Sequence, residues 1–170
     1  MISAVQPRII LAGALLLLLL ASPAPAAPSQ WNGWGATPAN DRIQRNGQLK
    51  VADVPRLKLM WAFGFPGVAS AGAQPSIVAD RVYVGSASGM VYCLDLNTGH
   101  TYWSFDAGTE VRTAVTTTAD GAVFFADAAG TAYRLDANTG QVRWKHQVDS
   151  HPAVRTIGSP KVYAGRVYVP

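Results

Sequence analysis

Apolar and polar residues alternate along most of this chain in short runs, broken by glycines and by Asn-Thr-Gly clusters. Runs of that length with a two-residue period predict β-strands rather than helices. They fall over residues 73–78, 81–85, 90–94 and 100–105, and again over 113–118, 122–126, 131–135 and 141–146. Upstream, residues 58–63 alternate like a further outer strand, and residues 51–57 have room for one turn of helix, limited by Pro55. Gly89 and Gly130 supply turns between second and third strands. Residues 95–99 and 136–140 supply the turn before each fourth strand. There Asp and Asn can bond the local backbone while Gly accepts a positive φ.

The pattern is a repeat. Tyr92 and Tyr133, Asp95 and Asp136, Gly99 and Gly140, and Trp103 and Trp144 are each 41 residues apart. That offset lies in the range of four-stranded propeller blades. A third copy begins at residues 166–169. Trp61 precedes Val82 by 21 residues, much as Trp103 precedes Val123 by 20, so Trp61 reads as the closing tryptophan of an upstream, incomplete blade. A tryptophan at a fixed place on each outer strand can plug the gap between neighbouring blades. From Trp144 to Val167 the interval grows to 23 residues, and the additional length falls in residues 148–155. This is either a functional loop, as propeller loops on one face often are, or an idle surface insertion.

Composition narrows the picture further. Arg8 precedes an apolar run over residues 9–21, and Ala24-Pro25-Ala26 offers small residues for cleavage. We expect residues 1–26 to be a secretory signal peptide, followed by an N-terminal segment over 27–57 and propeller blades over 58–170. Export places the protein in the periplasm with no stable membrane span after cleavage. The formal charge of +4 comes from scattered residues, with no basic run interleaved with aromatics, so nucleic acid is excluded. Cys93 is the single cysteine. No intrachain disulfide and no CxxCH haem attachment can form, and Cys93 reads as a small packed residue. His100, His146 and His151 lack metal-ligand spacing, and the first two fall on outer strands where they should be exposed. No Walker loop, HExxH or GxSxG is present.

At residues 93–103 and 134–144 the sequence resembles the tryptophan-docking motif of quinoprotein propellers, Ala-x-Asp-x-x-x-Gly-x-x-x-Trp. Asp95, Gly99, Trp103, Asp136, Gly140 and Trp144 match it, while Cys93 and Arg134 stand where the motif has alanine. Residues 31–35 and 51–61, together with 111–115 and 151–160, look most like polyvinyl-alcohol-dehydrogenase-type quinoproteins. The resemblance implies an all-β fold, a partial β-propeller with about three of an expected eight blades. It also implies a PQQ- and calcium-dependent alcohol dehydrogenase that passes electrons to a cytochrome. The family's catalytic aspartate and calcium-binding glutamate would lie beyond Pro170, so no catalytic or metal residue is assigned here. Thr109 and Glu110 stand near where methanol-dehydrogenase-type relatives carry an adjacent cysteine pair.

The same resemblance matches Arg112 to an arginine beside PQQ, and Thr156 and Ser159 to hydroxyl donors near its edge. Arg112 lies ten residues before Ala122, and Thr156 ten before Arg166, which makes them equivalent by counting. Matching the two Val-Arg-Thr triplets would instead make Arg155 the equivalent of Arg112. An arginine's planar fork suits the carboxylates of PQQ. The alternative is that Arg112 bonds a neighbouring loop carbonyl. A second functional class stays open: a propeller without cofactor, serving as a binding or assembly scaffold. The N-terminal segment and the arginines favour the enzyme. The chain as it stands is not expected to be an autonomous enzyme.

Overall fold

The computed structural model describes residues 30–37, 39–44, 47 and 49–170. The expected signal peptide lies outside the described residues. Two four-stranded antiparallel sheets and one hairpin follow each other along the chain. The first sheet has the order β1 (Ser76–Val78), β2 (Arg81–Gly85), β3 (Met90–Asp95) and β4 (Thr101–Asp106). The second repeats it with β5 (Thr116–Thr117), β6 (Ala122–Ala126), β7 (Thr131–Asp136) and β8 (Val142–Gln147). The hairpin pairs β9 (Lys161–Tyr163) with β10 (Arg166–Tyr168).

The middle strands β2 and β6 are covered on both faces and show no alternation of burial, whereas the outer strand β4 keeps it. Tyr83, Val91, Cys93 and Trp103 of the first sheet pack against Val123, Phe125, Tyr133 and Leu135 of the second. On the other face of the first sheet, Val82, Val84, Tyr92 and Leu94 are covered by Trp61, Phe63 and Phe65. The core therefore lies between blades. Each fourth strand carries one extra residue, with the register shift between Cys93 and Leu94 in one repeat and between Arg134 and Leu135 in the next. A bulge turns the extra residue out of the ladder. Here it frees Tyr102 to donate to Asp95 at 2.6 Å and Arg143 to donate to Asp136 at 2.7 Å.

Three expectations change. Residues 58–63 form no ladder with any described residue and are not a strand. This stretch lies against the first sheet through Trp61 and Phe63, joined by Phe65 just beyond it, and their two-residue spacing points them to one side. The innermost strands are also shorter than their alternation suggests. In the second sheet the hydroxyl of Thr113 takes the place of a backbone rung, accepting from Ala126 N at 3.1 Å and donating to Ala126 O at 2.9 Å. Finally, the counting of ten residues fails. Ser76 stands opposite Tyr83, Thr116 opposite Phe124 and Lys161 opposite Tyr168, because the β5–β6 turn is one residue longer than the other two. Counting back from these anchors, Thr156 corresponds to Val111 and Arg112 to Ile157. Burial agrees: Val111 and Thr156 are buried, whereas Arg112 and Ile157 are exposed. The triplet match fails too, since Arg155 then corresponds to Glu110.

The segment before the first blade ties the innermost strands together. Trp31 makes a two-bond antiparallel bridge with Ile77 on β1. The Asn32 side-chain amide meets Thr117 on β5 as a strand would, donating to its carbonyl and accepting from its N–H at 2.8 Å each. Lys161 on β9 gives its ammonium to the carbonyls of Trp34 and Thr37. Burial pulls the Lys161 ammonium below its usual range.

Candidate functional site

Each connection from a fourth strand to the next innermost strand starts the same way. Ala107 N bonds Gly89 O at 3.0 Å, and Val148 N bonds Gly130 O at 2.8 Å. The first connection is then gripped from both sides. Val111 N donates to Ser86 O in the first blade at 3.0 Å, while Glu110 O accepts from Ala128 N in the second at 2.8 Å. Val111 is wholly buried between them. Its backbone passes so near Gly85 that a Cβ there would stand 2.6 Å from Val111 O, so only glycine fits.

Arg112 emerges from this clamp with its side chain half exposed, and its Nε donates to Glu110 Oε1 at 2.7 Å. The partner is a carboxylate, not a loop carbonyl. Neither Nη bonds another described residue, and the stem passes over Gly72, whose missing Cβ would lie 3.8 Å from Arg112 Cγ. Ser159 is held against the stretch that follows Arg112, its Oγ accepting from Ala114 N at 2.7 Å. Thr156 is buried, its N–H directed at Ala128 O at 3.4 Å. It lines a cavity of about 400 Å3 with Asp149, Val154, Arg155, Val169 and Pro170, and Arg112 is not among the lining residues. The structure thus brings Arg112 and Ser159 onto neighbouring stretches of one rim, and leaves Thr156 in the cavity beside them.

In the sequence Glu110 stands out only with Thr109, near where methanol-dehydrogenase-type relatives carry an adjacent cysteine pair. Opposite charges two residues apart on an extended chain point to the same side, and that spacing could have revealed the pair. Arg155 is exposed and lines the same cavity as buried Thr156.

The docking residues behave as a set. Trp61 donates its indole N–H to Leu96 O at 2.9 Å and Trp103 to Ala137 O at 2.9 Å. Gly99 and Gly140 adopt φ of 71° and lie directly against those rings. Trp144 packs on Phe124 at 6.1 Å and faces a groove of about 550 Å3 with Asp120, Arg134 and Val167. Asp95 and Asp136 close their turns by accepting from the N–H groups two and three residues on, Asn97 and Thr98 in one and Asn138 and Thr139 in the other. The Tyr102 hydroxyl and Thr98 hold Asp95 down to about 2, and Arg143 with the turn N–H groups does the same to Asp136. Burial pushes the Cys93 thiol up, against the pull of Arg81 Nη1 at 3.7 Å, so it is a packed residue and not a nucleophile. His100 and His146 are exposed. Among the described residues no group of three or more His, Cys, Asp or Glu could hold a metal ion.

The family described as outer membrane protein assembly factor BamB matches residues 45–170. A polyvinylalcohol dehydrogenase from Pseudomonas sp is 44% identical over 152 residues, covering 85% of this chain and 24% of the relative. The chain therefore spans about a quarter of the length of that curated relative. Among solved structures, the quinohemoprotein alcohol dehydrogenase from Comamonas testosteroni superposes with a TM-score of 0.76 at 25% identity, covering 85% of this chain and 23% of that one. BamB from Moraxella catarrhalis reaches 0.54 at 25% identity, covering 65% and 33%. With its paired four-stranded sheets and its repeated Asp, Gly and Trp docking, this chain belongs to the PQQ-like-repeat family of quinoprotein β-propellers.

Proposed function

We propose that these residues form the opening blades of an exported, PQQ-dependent alcohol dehydrogenase, with the signal peptide directing it to the periplasm. The observation that carries this reading is Arg112. Its guanidinium is anchored through Nε on a rigid rim between two blades, with the Nη edge making no bond to another described residue. That edge suits a carboxylate of a planar polyacid such as PQQ. Ser159 keeps its hydroxyl proton free to donate while its oxygen accepts from Ala114 N, and Thr156 offers a hydroxyl in the adjoining cavity. The residues present fit the cofactor's edge and leave its metal and catalytic base to groups not assigned in this chain. When bound, PQQ supplies the two-electron oxidant that alcohol oxidation requires. This chain's part is to bind and orient it. Calcium as the companion metal and a cytochrome as the electron acceptor belong to the same proposal. The 44% identity to a polyvinylalcohol dehydrogenase supports an alcohol as substrate.

The test is calorimetric titration of the full-length protein with PQQ in the presence of calcium. Saturable binding that Arg112→Ala weakens, with unfolding behaviour unchanged, supports the assignment. Equal affinity in both proteins overturns it. The scaffold reading is favoured by the assembly-factor family match over residues 45–170, and absence of PQQ binding by the wild type would select it.

A further inference from the structure

We propose that Glu110 is the positioning residue of the Arg112 site, an inference that rests on the reading of Arg112 given above. Glu110 is placed by its backbone, not by its side chain. Its carbonyl is tied to Ala128 in the second blade and the next N–H to Ser86 in the first, so the residue cannot shift without parting the two blades. From that anchorage its carboxylate takes Arg112 Nε at 2.7 Å, with side-chain exposures of 27% for Glu110 and 54% for Arg112. The arginine needs such a guide. Beneath its stem lies Gly72, which offers no side chain to pack against, and the four rotatable bonds of an exposed arginine otherwise spread over many rotamers.

Holding the guanidinium by Nε fixes its plane and presents the paired Nη donors outward. In that orientation they can take both oxygens of one ligand carboxylate. The carboxylate of Glu110 also has an opposing effect. It is a negative charge next to the place where an anion is to bind, so it weakens the long-range attraction that Arg112 exerts. The two effects are separable by chemistry. A glutamine at this position still accepts from Nε through its amide oxygen but carries no charge. An alanine removes both the charge and the guide. An aspartate keeps the charge and falls one methylene short.

The experiment is PQQ titration of the full-length protein, with calcium, for wild type, E110Q, E110A, E110D, R112A and the double variant E110A/R112A. E110A and E110D are expected to bind about fivefold more weakly or worse, because the fork must be ordered at the moment of binding. E110Q is expected to bind at least as tightly as the wild type. E110A is expected to add no loss in the R112A background, since Glu110 acts through Arg112. Wild-type affinity in E110A, an E110Q as weak as E110A, or a loss on E110A that persists in the R112A background would each overturn the proposal. Should E110A fail to fold, the comparison of E110D with E110Q decides it alone. Failure of the wild type to bind PQQ, or equal affinity in R112A, overturns the reading of Arg112 itself and this inference with it.

Discussion

Trp103 donates its indole N–H to Ala137 O at 2.9 Å, reaching from the fourth strand of one blade to the turn of the next. A Cβ on Gly140 would stand 2.7 Å from its ring. The tryptophan and the glycine that share one motif in sequence have different partners, since the atoms nearest a Cβ on Gly99 belong to Trp61 and those nearest one on Gly140 belong to Trp103. Trp61 and Trp103 each dock on the turn of the following repeat, Trp61 against Gly99 and Trp103 against Gly140.

Trp103 is buried to 7% exposure, so Trp103→Ala in the full-length protein should cost about 3–5 kcal/mol. Trp144→Ala should cost a similar amount there, because a following repeat would cover its ring as Ala137 and Gly140 cover Trp103. Denaturant titration checks both. A small loss for Trp144 alone would show that its face stays bare, and small losses for both would remove the docking role.

The turn carboxylates carry a pH dependence with a definite sign. Asp95 and Asp136 are held at about 2, below the usual 3.8, by Tyr102 and by Arg143 respectively and by their turn N–H groups. A depressed carboxylate contributes stability that is complete above its unfolded value and is lost as pH falls through the folded one. Stability should therefore decline between about pH 4 and pH 2. Asp95→Asn with Asp136→Asn should flatten that part of the profile. An unchanged slope in the double variant, measured by thermal unfolding across that range, would refute the linkage.

Asn32 is expected to matter out of proportion to its size. Its amide replaces a strand in bonding Thr117, and removing it leaves a buried backbone N–H and carbonyl without partners. Asn32→Ala should cost about 1–3 kcal/mol. Asn32→Asp should lose most of that as well, since a carboxylate cannot donate to Thr117 O. Full retention of stability in Asn32→Asp would show that the donated bond contributes little.

Residues 27–170 expressed alone should self-associate. The Trp144 groove and the exposed Tyr163 and Tyr168 present unpaired blade surface, and an open sheet edge pairs readily with another chain. Sedimentation velocity is the check. A single sharp monomer boundary, with cooperative thermal unfolding, is the contrary result.

The strand pattern, the repeat and the membership of the docking set were legible in the sequence because they depend on local chemistry. Period-2 alternation marks β2, β3, β6 and β7, and Asp95 and Asp136 close their turns with neighbours only a few residues away. Three matters were decided only in three dimensions. Residues 58–63 alternate like a strand yet form no ladder, since a strand also needs a neighbour to bond. One extra residue in the β5–β6 turn moved Thr156 off the position counted for it, because register is set by which backbone groups pair. The tie of residues 31–37 to three innermost strands sets the Trp31 backbone, the Asn32 amide and the Lys161 ammonium against backbone N–H groups and carbonyls over separations of up to 127 residues. Every residue carries those backbone groups, so no side-chain pattern announces which of them will be met. The same holds at the candidate site: Arg112 could be singled out by type, but the backbone clamp that aims it through Glu110 exists only where two blades close around Val111.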